Sequence, residues 1–193
     1  MIEIIRISKA YQKPSGKKVL FSDFSLTLPD TGITALTGAN GSGKTTLLRM
    51  LAGLEQPDAG QILLPEPCRV SVVFQDYRLL PALSIRKNIR LVLPKNRWAD
   101  ADRWLETVGL LQNADDLPGA LSGGMQQRAA IARALACDHE LLLLDEPFAA
   151  LDGDWRRRML DAVLQQSRHV CVVLTTHDPE DLAYLGCDSI RLG

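Results

Sequence analysis

Residues 38–45, with the sequence GANGSGKT, narrow the choice of fold more than any other segment. They fit the spacing G-x-x-x-x-G-K-[ST]. The apolar run Ile33–Leu36 precedes them, and Lys44–Leu54 follows with leucines at helical spacing. A strand, a glycine-rich turn and a helix in this order predict an α/β fold, in which helices alternate with buried parallel strands. The wholly apolar run Leu141–Leu144 is typical of such a strand.

The residue types in this loop suit the binding of phosphate groups. Gly41 and Gly43 allow torsions that turn successive N–H groups inward and form a nest for phosphate oxygens. Lys44 would place its ammonium on the terminal phosphates, and the Thr45 hydroxyl would ligate Mg²⁺. The alternative interpretation of this segment is a flexible glycine turn. The strand before it and the helix after it disfavour that interpretation. We therefore predict ATP and Mg²⁺ as ligands, with the nucleotide bound by Gly38, Asn40, Gly41, Ser42, Gly43, Lys44, Thr45 and Thr46.

A second motif, Leu141–Glu146, carries two carboxylates at the end of its apolar run. We expect Asp145 to hold Mg²⁺ through a water molecule. Glu146 would take a proton from the water that attacks the γ-phosphate. An apolar strand that ends in acidic residues is common and says little alone. About a hundred residues after a phosphate-binding loop, it indicates ATP hydrolysis.

A third motif, Leu121–Arg128, reads LSGGMQQR. It resembles the signature L-S-G-G-x-x-Q-R of the ABC (ATP-binding cassette) ATPases. Without that resemblance, Ser122 would be only the N-cap of a helix. The resemblance implies an ATPase that forms a head-to-tail homodimer on ATP. In such a dimer, the loop of one copy and Ser122, Gly123 and Gly124 of the other copy hold the same nucleotide.

The resemblance assigns roles to four further residues. Tyr11 matches the aromatic residue that stacks on adenine, and Gln75 matches a glutamine that reaches Mg²⁺ and the attacking water. Asp152 matches a loop that contacts the second subunit. His177 matches the switch histidine that contacts the γ-phosphate. Read singly, each is an ordinary structural or surface residue, so these assignments depend on the resemblance.

The resemblance also implies the architecture of a P-loop NTPase. We expect one ABC ATPase domain over residues 1–193, with a RecA-like α/β core and a small antiparallel β region. Strands are predicted at Ile2–Ile7 and Val19–Leu28. Residues 79–136 lack strand patterns and predict a helical subdomain inserted in the core. The resemblance also implies that the β region between Gly53 and Val70 is trimmed.

Composition excludes several classes of protein. The net charge of −1 gives no broad basic field, so we expect no nucleic-acid partner. The N-terminus lacks the long apolar core of a secretory leader. The apolar runs fall far short of the roughly 20 residues that cross a bilayer. We therefore expect a cytoplasmic protein that reaches the membrane through a partner.

Two segments are similar to importers of the nitrate, sulfonate or taurine type: Val73–Ile89 and Pro147–Asp152. The similarity implies a transmembrane permease as a partner on the cytoplasmic face, and a substrate-binding protein as a further partner. Residues 76–84 would line the groove that receives the permease. Two alternatives stay open: a soluble ABC ATPase that drives assembly or repair, and a regulator that binds nucleotide without turnover.

Overall fold

The computed structural model describes residues 1–14 and 16–193, except for the side chain of Lys13. The described residues form eight strands and six α-helices. The strands are β1 (Ile2–Lys13), β2 (Gly16–Leu28), β3 (Gly32–Thr37), β4 (Ala59–Leu63), β5 (Val70–Val73), β6 (Leu141–Asp145), β7 (Cys171–Thr175) and β8 (Asp188–Arg191). The helices are α1 (Lys44–Leu51), α2 (Ile85–Arg90), α3 (Asp100–Thr107), α4 (Gly123–Ala136), α5 (Gly153–Ser167) and α6 (Pro179–Leu185).

The core is a five-stranded sheet with the order β5-β6-β7-β3-β8, in which each pair is parallel. Its registers place Asp145 opposite Thr175, and Thr175 opposite Leu36. Because the strands are parallel, their carboxyl ends meet at one edge. In open sheets of this kind, ligands bind outside that edge. The predicted α/β fold is confirmed.

The central strands are buried on both faces, as their apolar sequences predict. Successive side chains of a strand point to opposite faces. Accordingly, Leu142 and Leu144 of β6 join one hydrophobic cluster with α2–α5. Leu141 and Leu143 join a second cluster with α1 and the start of β1. The edge that carries the loops is therefore supported by packed side chains on both faces.

A separate antiparallel sheet has the order β2-β1-β4. The predicted strands at Ile2–Ile7 and Val19–Leu28 are too short, because β1 continues to Lys13 and β2 begins at Gly16. Strand β4 lies in the β region between Gly53 and Val70, for which no strand bounds were predicted. Most of its side chains are exposed, so it has no apolar alternation, and it forms through its pairing with β1.

Helix α1 ends at Leu51 rather than at the predicted Leu54. The Leu54 N–H donates to the carbonyl of Arg49, and the Gly53 N–H donates to the carbonyl of Met50. This pair of bonds is the usual glycine-dependent helix stop. Helices α2, α3 and α4 lie between β5 and β6, in the region where the sequence predicts a helical subdomain over residues 79–136. The boundaries of that subdomain stay a prediction.

Within the described part of the chain, no helix combines the length and the apolar character needed to cross a bilayer.

Candidate functional site

A cavity of about 700 Å³, called the main cavity below, lies at the carboxyl edge of the parallel sheet. It gathers residues from the antiparallel sheet, the glycine-rich loop, α1 and the ends of β5, β6 and β7. Most residues predicted to bind or hydrolyse the nucleotide line it: Tyr11, Asn40, Gly41, Gly43, Lys44, Thr45, Thr46, Gln75, Asp145, Glu146 and His177. Lys18, Leu20 and Ala149 line it as well.

The glycine-rich loop has torsions and clearances that exclude larger residues. Gly41 and Gly43 have φ of 76° and 106°. A Cβ on Gly43 would lie 2.8 Å from the Phe21 ring, and one on Gly41 would lie 2.7 Å from Lys18 Nζ. Real Cβ atoms do not make contacts this short. The Lys18 ammonium can move aside, so at position 41 it is the left-handed torsion that favours glycine, whereas at position 43 both the torsion and the Phe21 ring require it.

Two polar groups make this loop suitable for an anion. Lys44 is only 7% exposed, and its ammonium donates to the carbonyls of Gly38 (2.8 Å) and Ala39 (3.1 Å). The Ser42 hydroxyl is buried and has no hydrogen-bond partner within residues 1–14 and 16–193 as described. A buried hydroxyl without a partner is costly, and a phosphate oxygen would accept its hydrogen bond. The first turn of α1 adds N–H groups and the positive end of its dipole.

The two carboxylates at the end of β6 are held by the neighbouring strand β7. Thr175 is fully buried, and its hydroxyl donates to Asp145 Oδ1 at 2.8 Å. The Thr175 hydroxyl oxygen also accepts the Glu146 N–H at 2.8 Å. Glu146 needs this anchor, because its φ of 50° lies in a region that non-glycine residues rarely adopt. The Asp145 and Glu146 positions are thus set by one threonine.

Glu146 has the electrostatic environment of a general base. Burial raises the pKa of its carboxyl, and the charge of Asp145 adds to this effect, while His177 and Lys44 oppose it. A raised pKa brings a carboxylate closer to the basicity that proton abstraction near neutral pH needs. Oε1 of Glu146 lies 3.1 Å from Nε2 of His177, but among the residues that the structure describes it has no partner with hydrogen-bond geometry. This buried oxygen therefore has an unused capacity to accept a hydrogen bond.

His177 lies in a turn that is fixed from both sides. Arg156 of α5 donates to Asp181 Oδ1 at 2.7 Å and also pairs with Asp178. The Thr176 hydroxyl donates to the other oxygen of Asp181 at 2.8 Å. Asp181 is buried, so its carboxylate charge needs these partners to be stabilised. Arg156 also ties this turn to the predicted dimer-contact loop, because its N–H donates to the carbonyl of Asp152 at 2.7 Å.

The three predicted Mg²⁺ ligands lie together. Thr45, Gln75 and Asp145 line both the main cavity and an adjoining one of about 220 Å³. The described residues contain no group of three or more His, Cys, Asp or Glu side chains that could hold a metal by themselves. Mg²⁺ prefers oxygen ligands and commonly shares them between protein and substrate phosphates. A hydroxyl, an amide and one carboxylate fit that chemistry.

Tyr11 lines the same cavity from the antiparallel sheet. Its hydroxyl donates to Glu55, and Lys9 lies with Nζ 5.5 Å from the centre of the ring. Lys9 also pairs with Glu55 and Asp58, both at 3.2 Å. These contacts hold the ring at the cavity, where the predicted stacking on a base could take place.

The predicted residues at the start of α4, together with Asp152, lie outside the main cavity. Ser122, Gly124 and Asp152 line a separate cavity of about 200 Å³, and none of them reaches the main cavity. A Cβ on Gly124 would lie 2.9 Å from the Ala150 carbonyl. Gly123 instead faces the hydroxyl of Tyr77. The Ser122 hydroxyl accepts the Met125 N–H at 3.4 Å and caps α4. A single chain therefore divides the predicted site residues between two surfaces.

Trp155 and Arg128 hold this second surface together. The Arg128 guanidinium lies 4.0 Å from the centre of the Trp155 ring and donates to the Val108 carbonyl. The ring also covers Gly109 so closely that a Cβ there would collide with it. Trp155 has no role that was predicted from the sequence. No local motif marks it, because its partners come from distant segments.

Comparison with known proteins gives consistent results. A sequence model of the family described as "ABC transporter" matches residues 21–149. The aliphatic sulfonates import ATP-binding protein of Paraburkholderia xenovorans is 47% identical over 176 residues, which are 90% of this chain and 70% of that protein. The spermidine/putrescine import ATP-binding protein of Chromobacterium violaceum is 42% identical over 92% of this chain and 53% of its own length.

A solved structure is similar over the whole chain. It is the dimeric structure of a post-hydrolysis state of the ATP-binding cassette MJ0796 bound to ADP and Pi. The TM-score is 0.88 at 25% sequence identity, with 100% of this chain and 94% of that chain covered.

Proposed function

The chain belongs to the ABC transporter family as an ATP-hydrolysing cassette, and from that premise we propose that it energises a membrane importer. The observation that carries the proposal is the main cavity, which combines a phosphate-binding loop with Glu146, a base of raised pKa. Both relatives described above are named as import proteins. They differ in the substrate that their names give, so we assign the choice of substrate to the membrane and substrate-binding partners.

Residues of the main cavity and of the glycine-rich loop divide the steps of the proposed hydrolysis between them. Tyr11 would stack on the base, while Gly38, Asn40, Ser42, Lys44 and Thr46 would surround the phosphates. Mg²⁺, held by Thr45, Gln75 and Asp145, would neutralise charge on the terminal phosphates. Glu146 would accept a proton from the attacking water. His177, 3.1 Å from Glu146 and fixed through its neighbours, would contact the γ-phosphate.

The second cavity supports a head-to-tail homodimer as the active form. Ser122, Gly123 and Gly124 stand at the N-terminus of a 14-residue helix, where N–H groups and the helix dipole favour an anion. In one chain this end lies apart from the main cavity. A second copy would bring its own helix end to the γ-phosphate, with Asp152 at the contact. Hydrolysis would remove that phosphate and open the dimer.

The segment after Gln75 supports a contact with a permease on the cytoplasmic face. Tyr77 and Leu79 pack partly against the core, whereas Leu80 is 46% exposed. Tyr77 and Arg78 have φ of 56° and 47°, so the chain bends sharply here and presents Leu80 outward. An exposed leucine beside a nucleotide-sensing glutamine suits a contact that couples ATP binding to a membrane partner.

Purification from membranes tests the proposal. The tagged chain should be recovered with a membrane protein of several spans, and the recovered complex should hydrolyse ATP. Leu80→Asp should lose the membrane protein while keeping its affinity for ATP, because Leu80 lies outside the main cavity. Recovery of a soluble assembly complex, with no membrane protein, would contradict the importer function.

A further inference from the structure

Lys18 is a second ammonium group in the main cavity, besides Lys44. It lies on β2, half-buried, directly opposite Tyr11 in the β1–β2 ladder. Opposite residues of an antiparallel pair place their side chains on the same face of the sheet. Lys18 and Tyr11 therefore approach the cavity side by side.

The far end of the Lys18 side chain reaches the phosphate-binding loop. Its Nζ donates to the Gly41 carbonyl at 2.6 Å. The ammonium lies 2.7 Å from the position that a Cβ on residue 41 would take, so it lies directly against the loop backbone. Lys18 thus bridges from the strand position beside Tyr11 to the loop that bends over α1.

A nucleotide would place its base against Tyr11 and its terminal phosphates against Lys44. Between these two points it would pass Lys18. At that point, a nucleotide carries its sugar and the phosphate next to the sugar. The carboxylates that line the cavity, Asp145 and Glu146, follow β6, and the charges of Lys44 and His177 act on Glu146. An ammonium at Lys18 therefore meets the negative charge of the nucleotide at a place that no other cationic side chain of the cavity covers.

We propose that Lys18 is a nucleotide-binding residue that contacts the phosphate next to the ribose. The inference rests on the proposed binding of ATP in the main cavity. ATP and ADP both carry this phosphate, so Lys18 contributes equally to the affinity for the two nucleotides. Lys44, in contrast, is placed to contact the terminal phosphates and favours ATP.

Lys17 is a matched control for the experiment. It neighbours Lys18 on β2, is exposed and does not line the main cavity. Neighbouring residues of a strand point to opposite faces, so the two lysines differ in direction but not in charge or propensity. Fluorescent ATP and ADP analogues give the dissociation constants of Lys18→Met, Lys17→Met and the unaltered protein.

Lys18→Met should weaken both nucleotides by about tenfold, the effect of one partly exposed charge-assisted contact. Lys17→Met should bind both as the unaltered protein does. The affinity of Lys18→Met should also depend less on salt, because one ionic contact is gone. Binding by Lys18→Met within about twofold of Lys17→Met would overturn the proposal. If the unaltered protein itself failed to bind ATP, the proposed function would fail instead.

A third variant separates contact with the nucleotide from support of the loop. Lys18→Gln keeps a donor for the Gly41 carbonyl but removes the charge. If Lys18 binds phosphate, Lys18→Gln should be as weak as Lys18→Met, and Lys18→Arg should restore most of the affinity. Full affinity in Lys18→Gln would show that the lysine only supports the loop, and would also overturn the proposal.

Discussion

Replacing Thr175 with valine tests whether one hydroxyl holds both carboxylates of the site. Valine nearly matches threonine in shape but neither donates nor accepts a hydrogen bond. In Thr175→Val the Glu146 N–H and Asp145 Oδ1 lose their partner at a fully buried position. A buried N–H without a partner costs about 1–3 kcal/mol, and a hydrogen bond to a charged group contributes about 1.5–3 kcal/mol. Since the two effects share one atom and are not additive, we expect the free energy of unfolding to fall by about 2–4 kcal/mol.

The same substitution should lower turnover. Glu146 has an unfavourable backbone conformation at φ 50°, which the bond to Thr175 stabilises. Without that bond, a shift of about 1 Å in its carboxylate would reduce kcat by up to about a hundredfold. KM should change little, because the glycine-rich loop and Lys44 are untouched.

Thr175→Ser is the matched control. It keeps the hydroxyl and loses one methyl group, at a cost of about 1 kcal/mol. Urea unfolding gives the free energies, and phosphate release gives kcat and KM. If Thr175→Val unfolded within about 0.5 kcal/mol of Thr175→Ser and kept its kcat, the reasoning would be refuted.

Three further outcomes follow from the geometry. Burial raises the pKa of Glu146, and Glu146 must be ionised to act as the base. The value of kcat should therefore decline on acidification, with a midpoint above the ordinary pKa range of glutamate. A pH–rate profile with its midpoint in the ordinary range would contradict this. Arg156→Lys leaves one ammonium for two carboxylates, so it should lower kcat by about tenfold without changing ATP affinity, and an unchanged kcat would remove its positioning role. Gly43→Ala places a methyl group against the Phe21 ring and should abolish tight ATP binding, whereas Gly119→Ala, which meets no neighbouring atom, should bind normally in the same titration.

Local motifs account for the part of the site that the sequence predicts. The Gly38–Thr45 loop and the Leu141–Glu146 strand are each continuous segments of the chain. Residue types and spacing are therefore enough to identify them in the sequence. The same is true of Leu121–Arg128, whose resemblance identifies the family, and the family match confirms that identification. Their roles in catalysis stay predictions.

Contacts between distant segments account for what the sequence does not predict. Lys18 looks like any charged residue of a strand until the β1–β2 register places it beside Tyr11. Thr175 matters because β6 and β7 are adjacent and in a register that sets it opposite Asp145. The bounds of β4 are not marked in the sequence, because most of its side chains are exposed and its pairing partner β1 lies about fifty to sixty residues earlier. No periodicity within a short window carries this information.

The mass of the Glu146→Gln protein with Mg-ATP decides whether two copies of the chain share one nucleotide site. Glutamine keeps the size of the side chain but cannot accept the proton, so ATP should bind and persist. Gel filtration with light scattering should then show twice the mass of one chain, and Glu146→Gln combined with Ser122→Arg should bind ATP as a monomer. A Glu146→Gln protein that stayed monomeric with ATP bound, or that hydrolysed ATP at the unaltered rate, would contradict the shared site.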